Sequence, residues 1–344
     1  MVPETGICRI LKSASFDPWF NLAQEHRLFQ TMAPDERILL FWRNDPVVVI
    51  GRYQNPWREC RLSLMEQEGV VLARRQSGGG AVYHDRGNLC ITFMGGRAHF
   101  DRKANISLVT EALRTLGYPA TSNERNDLLL EGKKISGSAY RETSTKAFHH
   151  ATLLMDADLT RLSAFLAPKA TFTAIKGIAS VRSMVTNLSA ARPDIDLAGV
   201  EPAIARAFAK SCGLAHDLAI VQSLPAPSYN TDGELAEQEA LYKSWEWRFG
   251  GAPDFTARIE AEGENPGSLE IGVIKGLITD CILKVRIDGT DYAGQVEPDS
   301  CIGLRFDGST VADLLAQASR KAIEQQDPCR AAIFRDLAKN ALEL

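Results

Sequence analysis

No Cys-x-x-Cys pair occurs among the seven cysteines, Cys8, Cys60, Cys90, Cys212, Cys281, Cys301 and Cys329. Their odd number and wide scatter give neither a disulfide framework nor a zinc site, so reduced and mostly packed thiols are expected. Also missing is any apolar run of the roughly 18 residues that a membrane span needs. The opening residues Met1-Val2-Pro3-Glu4-Thr5-Gly6 lack the basic and apolar regions of a signal peptide. A cytoplasmic protein with no membrane partner is the expectation. Basic charge is not in surplus either: 39 Lys and Arg stand against 43 Asp and Glu, a formal net charge of −4. That balance argues against a general nucleic-acid binder, whose affinity needs a dominant basic field.

What is present is an ordinary globular composition, 45% hydrophobic and 24% charged, over 344 residues. This length exceeds the usual single-domain size, so one large domain and one smaller one are expected. Strand-like runs at 37–41, 47–50, 70–73 and 128–130 mix with helical spacing at 56–69, 104–116, 200–212 and 232–247. The two types do not alternate as in a doubly wound parallel sheet. An α+β domain with a mixed sheet and flanking helices fits better. Gly250-Gly251-Ala252-Pro253 breaks all periodicity, which places the boundary between residues 1–249 and a small α/β domain at 250–344. In the latter, 269–273 and 283–287 alternate as half-buried strands do, and 309–323 reads as an amphipathic helix.

The most constraining stretch runs from Arg74 to Asn88: Arg-Arg-Gln-Ser-Gly-Gly-Gly-Ala-Val-Tyr-His-Asp-Arg-Gly-Asn. Three consecutive glycines beside a basic pair describe a backbone that approaches an anion closely. The same glycines are also compatible with a plain hairpin tip. Neither a Walker A loop nor a dinucleotide fingerprint is present, because the residues after the glycines are strand-like. A second unusual passage is Arg125-Asn126-Asp127-Leu128, followed by Lys133-Lys134-Ile135-Ser136-Gly137-Ser138-Ala139-Tyr140-Arg141. There, small residues beside Lys134 let another backbone or a ligand come near.

These two passages, with Asp17-Pro18-Trp19-Phe20-Asn21-Leu22-Ala23, Trp42-Arg43-Asn44, 49–57 and Ser180-Val181-Arg182-Ser183, occur in the order of the lipoate-protein ligase A family, which the chain resembles over most of residues 15–250. The resemblance implies a biotin/lipoate ligase fold and a two-step reaction. Lipoate and ATP would give lipoyl-AMP and pyrophosphate, and the lipoyl group would pass to a lysine of an acceptor. It implies that Arg75, Gly80, Ala81, Val82, Tyr83, Asn126, Asp127 and Lys134 meet the nucleotide or adenylate. Trp42, Arg75, His84 and Lys134 would meet lipoate, and Lys134 would be the catalytic cation.

Asn126 and Asp127 either orient the nucleotide, with Asp127 as a Mg²⁺ ligand, or form an Asx turn. His84 and Asp85 are not read as a dyad, because neighbours in a strand point to opposite faces. No base for the acceptor amine stands out; Asp127 and His149 are the residues considered. The partners implied are lipoic acid, octanoate as an analogue, and apo lipoyl domains of 2-oxoacid dehydrogenase E2 subunits and the glycine cleavage H protein. A monomer is expected. The competing readings are an acyltransferase working through Cys90 on a carrier-bound or preactivated donor, a noncatalytic ligand sensor, and a biotin ligase.

Overall fold

A computed structural model describes residues 7–166, 171–173, 178–181, 183–214, 220–225, 233–261, 266–287, 290–296 and 301–342. It is α+β and resolves into two compact units. The first holds residues 1–52, 73–162 and 181–243; the second holds 53–72, 163–180 and 244–344. The described residues of 53–72 and 163–180 therefore pack with C-terminal residues.

The first unit is built on a six-stranded mixed sheet. Its strands run in the order Ser138–Glu142, Lys146–Leu154, Asn88–Gly96, Arg37–Trp42, Cys8–Ser13 and Val221–Leu224. The first four are antiparallel neighbours, and the last three are parallel. On one face Leu39, Phe41, Ile91 and Phe93 form a core with Ile106, Val109 and Leu113 of helix Arg102–Thr115 and Ile204 and Phe208 of helix Val200–Ser211. Asp101 caps the former helix by accepting from two backbone amides, and Gly117, at φ 91°, follows its end as the sequence suggests. Side chains alternate across a strand, so Leu40, Trp42 and Thr92 point to the opposite face. There Thr92 bonds to Glu25 of helix Pro18–Thr31, which starts at the Asp17 cap with Pro18 in its first turn.

Two small sheets carry the site segments. One is ordered Val71–Arg74, Val47–Ile50, Val82–His84, so the glycine loop links its two outer strands. The other is ordered Thr121–Ser122, Leu128–Leu130, Lys133–Ser136. Gly137 is the joint from that sheet into the six-stranded one.

The second unit is a five-stranded antiparallel sheet in the order Thr171–Thr173, Phe255–Ala261, Gly267–Ile274, Leu277–Ile287 and Thr290–Gln295. Helices Gly308–Glu324 and Pro328–Ala341 share its core. Trp57 is almost wholly buried there, its ring centroid 5.1 Å from Phe255 and 5.4 Å from Phe306. Two expected helices are each broken in two. The 56–69 region forms Pro56–Glu59 and Leu62–Gln67, because Cys60 is extended at φ −130°. The 232–247 region forms Gly233–Lys243 and Trp245–Arg248, because the Ser244 hydroxyl accepts from the Trp247 amide and starts a new helix. Asp232 itself lies outside the described residues.

Candidate active site

Arg75 organises the glycine loop from below. Arg75 is 4% exposed, and its guanidinium donates to the Gly78, Gly80 and Val49 carbonyls and to Ser77 Oγ. Bonds to Gly78 and Gly80 from Nη2, at 2.7 and 2.8 Å, turn those carbonyls toward the arginine. Burial lowers the Arg75 pKa to about 10, and the Glu25 charge works against that fall. It stays a cation at neutral pH. The glycines are needed for space as well as for conformation. Gly79 has φ 91°, and a Cβ on Gly51 would lie 2.2 Å from the Gly79 carbonyl oxygen. Beyond the loop, Val82 pairs with Val49 and Tyr83 with Val48. Tyr83 is buried, and chiefly for that reason its hydroxyl is raised to about 12.

Lys134 lies on the strand Lys133–Ser136, its Nζ 2.8 Å from Asp127 Oδ1 and its side chain a quarter exposed. Its backbone is held by Met184 and Thr186, which accept and donate at 2.9 and 3.0 Å. Gly137 leaves room for it, since a Cβ there would sit 3.4 Å from Lys134 Nζ. Asp127 emerges from a turn in which the Asn123 carboxamide oxygen accepts from the Arg125 and Asp127 amides. The Asx turn is thus made by Asn123, and the Asp127 carboxylate it positions faces Lys134. Asn126 occupies the left-handed region at φ 62°, and its carbonyl accepts from Ser138 Oγ.

The glycine loop and the lysine segment meet through small residues. A Cβ on Gly79 would lie 3.6 Å from the Ala139 Cβ, two residues past Gly137. Trp42 and His84 also meet, as an edge-to-face pair with centroids 6.2 Å apart. His84 Nδ1 accepts from the Asn44 amide at 3.1 Å, and burial first, then Arg75, lowers its pKa to about 3. Asp85 turns away and accepts from the Gly87 and Asp158 amides, so the adjacent pair forms no dyad. His149 is buried between Phe93 and Tyr140 with its Nε2 on Ser138 Oγ, and burial holds it down to about 3. A neutral imidazole so enclosed is poorly placed to take a proton from an incoming amine.

The family profile described as "Lipoyl protein ligase A/B catalytic domain" matches residues 17–209. The chain belongs to this family. Among solved structures, a lipoate-protein ligase A bound with ATP is 26% identical, with a TM-score of 0.57 over 71% of this chain and 98% of that one. A bi-partite lipoate protein ligase from Thermoplasma acidophilum, studied with its E2 lipoyl domain, is 25% identical, with a TM-score of 0.56 over 71% of this chain and 95% of that one. LipL1 of P. falciparum, solved with lipoate, shares the fold at 22% identity and a TM-score of 0.62, over 94% of this chain and 99% of that one. The α+β fold is thus that of the lipoate ligases, and the protein is an enzyme of that class.

In this ligase, Cys90 is 2% exposed, and burial pushes its thiol well above its ordinary range. Among the described residues no group of three or more His, Cys, Asp or Glu side chains could hold a metal ion. A Mg²⁺ carried by nucleotide phosphates asks for only one or two protein carboxylates, and Asp127, part-buried beside Lys134, is a carboxylate at hand. An open cleft of about 850 Å³ elsewhere on the first unit is lined by Lys12, Arg43, Arg86 and Glu201. Those cations pair with Glu201 and Asp45, and the cleft contains neither Arg75 nor Lys134. Sequence reading missed Glu25, Ser77, Thr92 and His150, which tie the described groups together. Ser77 stood in the quoted motif, whereas Glu25 inside an amphipathic helix carried no local signal. Arg182 of the Ser180–Ser183 motif lies outside the described residues.

Proposed function

We propose that this ligase activates free lipoate with ATP and transfers the lipoyl group to the ε-amine of a specific lysine on apo lipoyl domains. The observation that carries this reading is the contrast between two candidate nucleophile-handling groups. Lys134 is a half-buried ammonium beside Asp127, while Cys90 is sealed and protonated. A thioester enzyme needs an accessible thiolate; an adenylating enzyme needs a cation between two anions.

In the first step a lipoate carboxylate oxygen attacks the α-phosphorus of ATP, forming the C(O)–O–P bond as the bond to pyrophosphate breaks. Lys134 offsets the repulsion between carboxylate and α-phosphate, and amides of the Gly80–Tyr83 segment meet the nucleotide. Arg75 holds that segment in shape and contributes positive potential. Asn126 and Asp127 orient the nucleotide. When bound, Mg²⁺ neutralises phosphate charge. In the second step the neutral acceptor amine attacks the acyl carbon, the amide forms as the acyl C–O bond to AMP breaks, AMP leaves, and the surplus amine proton passes to solvent. Trp42 and His84 border the acyl pocket, whose apolar wall accepts octanoate as a poorer analogue.

The acceptors proposed are E2 subunits of 2-oxoacid dehydrogenases and the glycine cleavage H protein. Residues 1–249 would carry catalysis and 250–344 an accessory role, in a cytoplasmic monomer. The test is the intact mass of an apo lipoyl domain incubated with the protein, lipoate, ATP and Mg²⁺, with an ATP-free control and a Lys134→Ala variant. A lipoyl increment that requires both ATP and Lys134 supports the reading. An increment only from synthetic lipoyl-adenylate or an acyl-carrier donor replaces it with the transferase.

A further inference from the structure

A continuous chain of hydrogen bonds crosses the first unit beneath the site. Trp42 Nε1 donates to Thr92 Oγ1 at 3.1 Å, and Thr92 Oγ1 donates to Glu25 Oε1 at 2.6 Å. His150 Nδ1 lies 3.1 Å from the same Glu25 oxygen, and its Nε2 lies 2.9 Å from Ser77 Oγ. Arg75 Nε then donates to Ser77 at 3.1 Å. All six residues are buried, none more than 8% exposed. The fold sets this up directly: Thr92 and His150 are cross-strand partners, and helix Pro18–Thr31 brings Glu25 over them.

Donor counting fixes the directions at Trp42 and Thr92. An indole N–H only donates, so the Thr92 hydroxyl accepts from Trp42 and passes its own hydrogen to the carboxylate. An ionised Glu25 only accepts, so His150 Nδ1 carries a hydrogen toward it. Ser77 Oγ accepts from Arg75 Nε and is hydrogen-bonded to His150 Nε2. The acceptors of Arg75 are carbonyls and a hydroxyl, all neutral. The negative charge at the far end of the chain is that of Glu25.

We propose that Glu25 is a positioning residue that couples the two substrate sites, holding Arg75 and the glycine loop through His150 and Ser77 and holding Trp42 through Thr92. This rests on the reading above, in which Trp42 borders the acyl pocket and the loop meets the nucleotide. An acyl chain that settles against Trp42 then tightens the same carboxylate that aligns the nucleotide loop, so each ligand raises affinity for the other.

The test measures binding of α,β-methylene-ATP with and without lipoate, by calorimetry, for the wild type and for Glu25→Gln. Calorimetry is accompanied by ¹⁵N NMR of the histidine rings. The wild type is expected to show a coupling of about fivefold or more, within the usual allosteric range, identical when read from either ligand. Glu25→Gln keeps the shape but not the charge. It is expected to bring the coupling to near unity and to shift the His150 ring signals. Ser77→Ala cuts the chain at its other end without stranding a buried carboxylate, and it is expected to lose coupling likewise. A packing defect alone would weaken both affinities and leave their ratio intact. The proposal is overturned if both variants keep wild-type coupling, or if the wild type binds both ligands independently. A wild type that binds neither ligand would instead sink the ligase reading itself.

Discussion

Lys134 Nζ and Asp127 Oδ1 stand 2.8 Å apart, on a strand and a turn that other residues hold in place. In the proposed reaction Asp127 pre-aims the ammonium, and the incoming carboxylate and phosphate would compete with Asp127 for it. Lys134→Ala is expected to lower the rate of lipoate-dependent pyrophosphate release by about 10²–10³-fold, the usual effect of removing one preorganised electrostatic group. Lys134→Arg is expected to recover only part of it, because a planar fork cannot sit between two anions as a compact ammonium does. Retention of more than a third of the activity by Lys134→Ala would remove the lysine from the chemistry.

Much of this site was legible because it is local in the chain. The glycine loop, Lys134 and the Asn126–Asp127 turn each announce themselves through residue types that ordinary strands avoid. The mixed sheet followed from irregular alternation of strand and helix periods. What escaped was long-range: Glu25 bonds Thr92 and His150 at separations of 67 and 125 residues, and nothing in either neighbourhood marks the partner. Trp57 is a similar case. It sits in a motif of the catalytic region, yet its ring packs in the second unit's core. The broken helix at Ser244 turned on one capping hydroxyl that apolar periodicity does not register.

Cys90 separates the ligase from the thioester transferase. Its sulfur is buried 3.4 Å from Asn88 Nδ2 and 3.6 Å from His84 Nδ1, and its thiol is far from ionising. Cys90→Ser is expected to retain activity within about threefold, because the proposed adenylation uses no thiol and a serine hydroxyl of similar size can still accept from Asn88 Nδ2. A fall to background in the lipoyl-domain mass assay, with the fold intact by circular dichroism, would favour acyl transfer through the thiol.

Gly51 tests the loop's dependence on close backbone contact. A Cβ there meets the Gly79 carbonyl oxygen at 2.2 Å and the Gly78 carbonyl carbon at 3.2 Å, and neither can swing aside as a side chain would. Gly51→Ala is expected to cost about 1–3 kcal/mol in urea denaturation through local overpacking. It should also raise KM for ATP more than KM for lipoate. Equal rises in both constants would mean that the displacement spreads beyond the loop.

Acid sensitivity follows from two neutral histidines. His84 and His149 are each held down to about 3 by burial first; Arg75 and His150 add to this for His84, and His150 and Arg102 for His149. Unfolded, each returns to about 6.5. Between these values the unfolded chain binds protons that the folded protein refuses, so stability falls as pH drops below about 6.5 and levels off near 3. From pH 7.5 to 5.5 the loss is about 1.4 kcal/mol per histidine. His149→Phe fits the slot between Phe93 and Tyr140 and leaves Ser138 bonded to the Asn126 carbonyl. Urea midpoints at the two pH values should therefore converge in the variant by about one histidine's share. An undiminished pH dependence would show that His149 takes up its proton in the folded state as readily as in the unfolded one.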